Sequence, residues 1–404
     1  MRKIKIFLRI AYKIHAQELY LPTLFSIMIR PELSTYIEGN IIPRYAAFDP
    51  AHRTDHVRAV IASGLELARK YSLDEEMVYA AAAYHDTGLE FGRQNHNSDS
   101  AKIILSDRKL ESFFSREQIE TIAQAAEDHR ASLYPKARSI YGRVVADADR
   151  QLDAGTIIRR TIQYGRGNYP SLSRSEHIAR AMEHFNQKYS ENGYIGLYFD
   201  DSQASRDLGK FRRMLKDTDN MERLCALEYD AQSGRDTIIC LTGFMASGKS
   251  TVGRSLALLT GRKFLDLDSE IERSRGMSIP QIFSSLGEQE FRNIERECLR
   301  EAVTALKQES VKAVIALGGG AFCQDRTRQE VLETSQSVYL EVPYDIINLR
   351  LGASDPNRPL SKDREKLYHT REPLYALADF KVDASSSDAA LTARRIIDIL
   401  SPSL

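Results

Sequence analysis

One stretch constrains this chain more than any other: GFMASGKS at 243–250, which fits the pattern G-x-x-x-x-G-K-[ST]. The apolar run TIICL at 237–241 leads into it, and TVGRSLALL at 251–259 leads out of it with helical spacing. Strand, glycine-rich loop and helix in that order let backbone N–H groups turn inward around phosphates, and the helix amino terminus adds an attractive dipole. A nucleoside triphosphate is the expected ligand. Its contacts fall on Gly243, Ala246, Ser247, Gly248, Lys249, Ser250 and Thr251, with Lys249 reaching the β- and γ-phosphates and Ser250 holding magnesium.

The loop lies in a region of short apolar runs alternating with helical spacing. TIICL is followed by KFLDL at 263–267, VIAL at 314–317, SVYLEV at 337–342 and FKVDA at 380–384. Five strands joined by helical crossovers imply a parallel sheet with helices on both faces. The preceding half reads differently. Apolar residues recur there every three or four positions, over 56–71, 74–85, 116–128 and 175–189, so an all-helical region is expected. Between the two textures the polar stretch 229–236 is the expected linker. A chain of 404 residues exceeds what one core organises. The expected division is a helical extension over 1–44, a helical domain over 45–228, the linker, and an α/β domain over 237–404.

The 56 basic and 56 acidic residues cancel, so no electrostatic footprint marks nucleic acid as a partner, and small molecules are expected instead. Cys225, Cys240, Cys298 and Cys323 show no C-x-x-C spacing, which fits a reducing cytoplasm better than a disulfide framework. In the opening MRKIKIFLRIAYKIHA, Arg9 and Lys13 interrupt the apolar run, so an amphipathic helix is expected rather than a signal peptide. No stretch reaches the ~20 apolar residues of a membrane span, and a soluble cytoplasmic protein is expected.

The acceptor of the phosphoryl group has to be read from the residues beyond the loop. Asp266-Leu267-Asp268 ends the second run, where strand alternation points both carboxylates to one side, at the end of the sheet that faces the ligand crevice. One carboxylate can serve magnesium and the other a substrate hydroxyl. Then come Phe291-Arg292, Gly318-Gly319-Gly320 after the third run, Arg358-Pro359-Leu360, and REPLY at 371–375. With GFM at 243–245 and GMSIPQIF at 276–283, this ordered set resembles the shikimate kinase family over nearly all of 237–404.

The resemblance implies roles. Arg292 and Arg371 match the family's clamp on the carboxylate of shikimate, and Asp268 matches its hydroxyl-binding aspartate. Gly318, Gly319 and Gly320 would let the backbone approach the ring. Arg358 lies in the polar segment 353–365, which resembles the family's mobile lid and would bring positive charge onto the transferring group. Asp266 would join Ser250 on Mg2+, leaving Lys249, Asp268 and Arg358 as the catalytic set for moving the γ-phosphoryl group of ATP to the 3-hydroxyl of shikimate, on the chorismate route to aromatic amino acids. Two departures stand out: Ala246-Ser247 where the family often has Gly-Ala, and Ser361 where leucine is commoner. A gluconate-type kinase is the alternative, against which the triple glycine and paired arginines speak.

The helical half has its own chemistry. His56 opens one expected helix, and His85-Asp86 closes the next, with Gly88 as the helix stop. A later acid lies in VVADADRQLD at 144–153. Imidazoles and carboxylates on converging helix ends suit a divalent metal. The order His, His-Asp, Asp resembles the HD-domain phosphohydrolases, clearly over 45–165 and loosely to 228. The resemblance implies His56, His85, Asp86 and Asp149 as ligands of a transition metal such as Mn2+, Fe2+ or Ni2+, or of Mg2+. Ala148-Asp149-Arg150 resembles a run in the related alarmone hydrolases and favours Asp149, but Gln151 interrupts the usual leucine spacing and leaves Asp147 open. His96 and His129 could complete a second metal, or contact a substrate phosphate with Arg93 and Arg130 beside them. The expected substrate is a phosphorylated small molecule or nucleotide, and the competing reading is a module that senses metal or nucleotide without turning it over. The expected architecture is thus an all-helical HD-type domain followed by a five-stranded, parallel-sheet P-loop kinase of nucleoside-monophosphate-kinase type.

Overall fold

The computed structural model describes residues 29–48, 53–130, 136–352 and 364–401. The chain forms two compact units, one of residues up to Ile157 with Glu183–Asp217, the other of Ile158–Met182 with Thr218–Leu404.

The first unit is helical. It contains α1 (Pro31–Asn40), α2 (Thr54–Lys70), α3 (Glu75–Tyr84), α4 (His96–Ser106), α5 (Arg116–Glu127) and α6 (Ile140–Asp149). Two further helices, α7 (Ala154–Asn168) and α8 (Arg174–Tyr189), contain the division between units, and α9 (Gln203–Leu215) follows. The expected periodicities produced helices within a residue or two of their predicted ends. In α3 every residue from Met77 to Tyr84 is buried, so it is the central helix, and its run of four alanines lets neighbours approach closely. Asp74 caps it, accepting from Glu76 N at 3.0 Å and Met77 N at 3.2 Å. Leu33 and Ile37 of α1, with Ile41 and Ile42 after it, belong to the same core, so the described part of the expected 1–44 extension is built into this bundle.

The second unit is a five-stranded parallel sheet in the order β2-β3-β1-β4-β5. The strands are β1 (Ile238–Thr242), β2 (Lys263–Asp266), β3 (Ala313–Ala316), β4 (Gln336–Glu341) and β5 (Phe380–Asp383). Ile239 of the central strand pairs with Val314 on one side and Gln336 on the other. All five residues of β1 are buried, as expected of a strand covered on both faces. The helices are α10 (Thr218–Ser233), α11 (Lys249–Thr260), α12 (Leu267–Arg275), α13 (Ile279–Gln308), α14 (Asp325–Thr334), α15 (Tyr344–Leu351), α16 (Arg364–Tyr375) and α17 (Ala389–Leu400). Gly287, at φ 81°, breaks α13 into two segments. Among the described residues no helix is long and apolar enough to cross a membrane.

Residues 229–236, expected as a linker, are the last turn of α10 and the start of a 3-10 turn at Arg235–Thr237. The reason is burial. Leu227 joins the core of the sheet, and Asp230, fully buried, accepts from Arg174 Nε and Nη2, both at 2.9 Å, from Gln336 Nε2 at 3.2 Å, and from Arg235. Arg235 also donates to Asp379 at 2.6 Å, and Asp379 takes Ser337 N at 2.9 Å. Two buried carboxylates and two arginines thus tie α8 and α10 to the last strands. Asp230→Ala would leave Arg235, 2% exposed, short of half its counter-charge. We expect a loss of about 3 kcal/mol, read as a lower urea midpoint for this unit.

Candidate functional site

Each unit brings together one set of chemically active side chains. In the helical unit, His56 comes from the first turn of α2, His85 caps the end of α3 with Asp86 behind it, and Asp149 is the last residue of α6. His56 Nε2 lies 3.1 Å from Asp149 Oδ1 and 3.5 Å from Asp86 Oδ2. His85 Nε2 lies 3.2 Å from Asp86 Oδ2 and 3.5 Å from Asp149 Oδ1. The other oxygen of Asp86 faces a second pair: His96 Nε2 and His129 Nε2, each 3.4 Å from Oδ1. Asp86 is therefore shared between two ligand groups, His56-His85-Asp86-Asp149 and Asp86-His96-His129.

Gly88 makes this convergence possible. It sits in the 3-10 turn Thr87–Phe91, where a Cβ would stand 2.6 Å from Ser100 N of α4, so its absence lets α4 carry His96 up to Asp86. That close approach, rather than the ending of α3, is what the glycine serves. Tyr45 braces the site from behind: its hydroxyl donates to Ala83 O at 2.9 Å and accepts from Asp86 N at 3.2 Å. Nothing in the local pattern around Tyr45 pointed to this contact, made 41 residues away.

The donor set fits a divalent cation. His85, His96 and His129 each direct Nδ1 at a backbone carbonyl three residues earlier, Ala82, Arg93 and Ala126. In the neutral ring, donation from Nδ1 fixes the tautomer that leaves Nε2 a bare lone pair for a cation. Buried His85 Nε2 makes no hydrogen bond, and His96 Nε2 faces His129 Nε2 at 3.2 Å, an arrangement of two acceptors that a cation between them would relieve. Burial would depress the His85 imidazole, but the charges of Asp86 and Asp149 outweigh it and hold its pKa well above the ordinary value. For Asp86, burial works against ionisation, and the facing imidazoles reverse it, holding the carboxyl well below its usual range. Of the two acids left open, Asp149 lies with the histidines. Asp147, 1% exposed, points elsewhere, accepting from Tyr198 N at 3.0 Å and Phe199 N at 2.9 Å.

In the sheet unit the loop 243–250 joins β1 to α11 as expected. Lys249 Nζ donates to Gly243 O at 2.8 Å and Phe244 O at 2.9 Å, and burial lowers its pKa to about 8 despite the charges of Asp268 and Asp266. Ser250 Oγ donates to Asp266 Oδ2 at 2.5 Å; hydroxyl and carboxylate oxygens so placed suit magnesium. Thr251 follows on the exposed face of α11. Ala246 adopts φ 58°, the left-handed region in which a side chain costs roughly 1 kcal/mol. Its methyl is therefore not neutral to the loop's backbone, as a reading of volume alone would have it. Ala246→Gly is expected to raise stability by about 1 kcal/mol in urea unfolding, with no loss of nucleotide affinity.

The two aspartates lie close together, but not by strand alternation. β2 ends at Asp266, which becomes the cap of α12, and Asp268 falls in that helix's first turn. Around Gly318-Gly319-Gly320 the residues expected to bind the acceptor converge. A Cβ on Gly318 would meet Glu295 Oε1 at 2.6 Å and Asp268 Oδ1 at 2.7 Å, and one on Gly320 would meet the Arg292 guanidinium, Cζ at 2.7 Å. Those two glycines make room for protein side chains. Gly319 is open, its nearest neighbour being Met245 N of the phosphate loop at 3.7 Å, and its carbonyl accepts from Arg371 Nη1 at 3.2 Å. Glu295, 1% exposed, escaped the sequence reading although it stands three residues from Arg292 on one face of α13. It accepts from Arg292 Nη1 at 2.7 Å, while its Oε1 has no hydrogen-bond partner. Burial pushes the carboxyls of both Glu295 and Asp268 up. Arg358 and Ser361 lie outside the described residues.

Comparison with known proteins agrees with this division. The family model for shikimate kinase matches residues 245–401, and that for the HD domain matches residues 53–152. A shikimate kinase of Moorella thermoacetica is 40% identical over 167 residues, covering 40% of this chain and 93% of that protein. One from Novosphingobium aromaticivorans is 39% identical over 165 residues, covering 39% of this chain and 84% of that protein. Among solved structures, shikimate kinase from Acinetobacter baumannii in complex with shikimate matches at 36% identity and TM-score 0.37, covering 40% of this chain and 92% of that one.

Proposed function

Because the chain belongs to the shikimate kinase family through its second unit and carries an HD domain ahead of it, we propose two activities: transfer of the ATP γ-phosphoryl group to the 3-hydroxyl of shikimate, and hydrolysis of a phosphate ester at the His-Asp site. One observation carries the first. Two carboxylates, Asp268 and Glu295, and two guanidiniums, Arg292 and Arg371, surround three glycines that border the phosphate loop. A ring bearing hydroxyls and one carboxylate needs that combination of acceptors and cationic clamp.

In this reading Arg292 and Arg371 hold the carboxylate, and Asp268 takes the proton of the attacking hydroxyl as the bond to phosphorus forms. Lys249 moves from the carbonyls of Gly243 and Phe244 onto the phosphates, and Arg358 adds charge from the segment 353–365. Ser250 and Asp266 would hold magnesium, which offsets phosphate charge. A cytoplasmic setting that supplies ATP goes with this reading. The test is ADP release by the full chain with shikimate, gluconate or neither. Release that is independent of shikimate, or equal with gluconate, would sink it.

At the second site His56, His85, Asp86 and Asp149 would hold one divalent metal, and His96 with His129 would hold another through Asp86. A metal there supplies charge for a phosphoryl oxygen and lowers the pKa of water. Arg130, whose guanidinium donates to Gln94 O at 3.2 Å, lies beside His129 to meet a phosphate. A panel of nucleotides and phosphomonoesters with Mn2+ tests this. Turnover lost in His85→Ala supports hydrolysis, and no turnover of any substrate supports a sensing module.

A further inference from the structure

We propose that Tyr375 is a positioning residue for the acceptor: it fixes the Gly319 carbonyl so that Arg371 presents the rest of its guanidinium to the acceptor carboxylate. The inference rests on shikimate being the acceptor, as proposed above.

Both residues lie on α16, four positions apart and hence on one face. The Tyr375 hydroxyl donates to Gly319 O at 2.5 Å, and Arg371 Nη1 donates to the same oxygen at 3.2 Å. A carbonyl oxygen has two lone pairs, and these two donors take both. Gly319 needs such a fixing from outside. It has no side chain to pack, and apart from Met245 N nothing of the protein lies within 4 Å of where a Cβ would stand. Tyr375 supplies a rigid mount, being 1% exposed and stacked on Tyr339 with centroids 5.5 Å apart. Tyr339 pairs in register with Thr242, the residue before the phosphate loop, so the mount is anchored in the middle of the sheet. With Nη1 held by Gly319 O, Arg371 keeps Nη2 and Nε for a forked grip on a carboxylate. Without the phenol hydroxyl, the Gly319 peptide is free to turn and Arg371 loses the fixed end of its fork. Neither hydrogen bond to the Gly319 carbonyl involves the nucleotide loop, so the effect is expected on the acceptor.

The test is Tyr375→Phe in the full chain, which keeps the ring and its stacking. The KM for shikimate is expected to rise about tenfold, the ratio that goes with one hydrogen bond's net contribution. Turnover number and the KM for ATP should stay within about twofold, the pattern of a lost binding interaction. A double-mutant cycle separates positioning from packing: in an Arg371→Lys background, Tyr375→Phe should change the KM for shikimate by less than about twofold, because the partner it acts through is already disabled. Equal effects in both backgrounds would overturn the inference, as would an unchanged KM for shikimate, or a joint fall in turnover, ATP affinity and melting temperature. A wild-type chain that releases no ADP with shikimate would instead sink the acceptor assignment. A normal wild type with an unaltered Tyr375→Phe variant sinks this inference alone.

Discussion

Lys249→Met is expected to lower shikimate-dependent turnover by on the order of 10³-fold, the size of effect seen when a preorganised charge on a transition state is removed, and at the same time to raise the melting temperature of the nucleotide-free chain. The opposite signs have one cause. Without ATP the ammonium is buried against two carbonyls with no carboxylate hydrogen-bonded to it, and burial brings its pKa down to about 8. The unfolded ammonium titrates near its ordinary value of ~10.4. Below pH 8 both states carry the proton and the folded state bears the whole penalty of a poorly solvated charge. Between pH 8 and ~10.4 the folded state has released its proton and the unfolded state has not, so the penalty fades as pH rises. The stability advantage of Lys249→Met should therefore be largest at neutral pH and shrink above pH 8, in calorimetric scans across that range. Phosphates reverse the preference by favouring the charged form. The kcat/KM for ATP of the wild type should accordingly fall as pH passes 8, while that of the variant stays low and flat.

The sequence made the phosphate loop legible because its geometry is local: glycines, lysine and hydroxyl act within eight consecutive residues, between a strand and a helix that each announce themselves by periodicity. The five strands appeared within one residue of their expected starts for the same reason. What failed to show were contacts whose partners lie far apart in sequence. Tyr45 reaches Asp86, Tyr375 reaches Gly319, and Asp230 is matched by Arg174 and Gln336 on two other segments; none has a spacing that marks it. The stretch 229–236 looked like a linker because it is polar, yet its polar groups are what tie it down, since a buried Asp230 with four donors is as fixed as an apolar side chain. Strand alternation pairs Asp266 and Asp268, but the strand ends at Asp266 and Asp268 lies in the helix that follows. A strand handing over to a helix places i and i+2 close together as well as strand alternation does, and the sequence alone does not distinguish the two.

Asp86→Asn is expected to empty both ligand groups of the helical unit, whereas His129→Ala should empty one. Each oxygen of Asp86 faces its own pair of imidazoles, Oδ2 toward His56 and His85, Oδ1 toward His96 and His129. An amide keeps the shape but loses the charge that lets one side chain serve two cations, so we expect metal affinity to fall more than ~100-fold at both positions, beyond what loss of an outer hydrogen bond causes. Metal analysis after dialysis against Mn2+ at pH 7.5 should give two equivalents for the wild type, one for His129→Ala and fewer than about 0.2 for Asp86→Asn. Equal loss in the two variants would show that His129 serves the same ion as His56. The pH dependence comes from the same geometry. The carboxylates hold the imidazoles of His56 and His85 above their ordinary pKa, and a metal must displace those protons to bind. Retention should therefore weaken as pH falls from 7.5 toward 5.5, and more steeply at the His56-His85 position. Burial lowers the pKa of His96, which reaches its ligand form without help. The two positions should thus part company in acid: a single equivalent retained at pH 5.5, lost on His129→Ala but not on His56→Ala, would place it between His96 and His129.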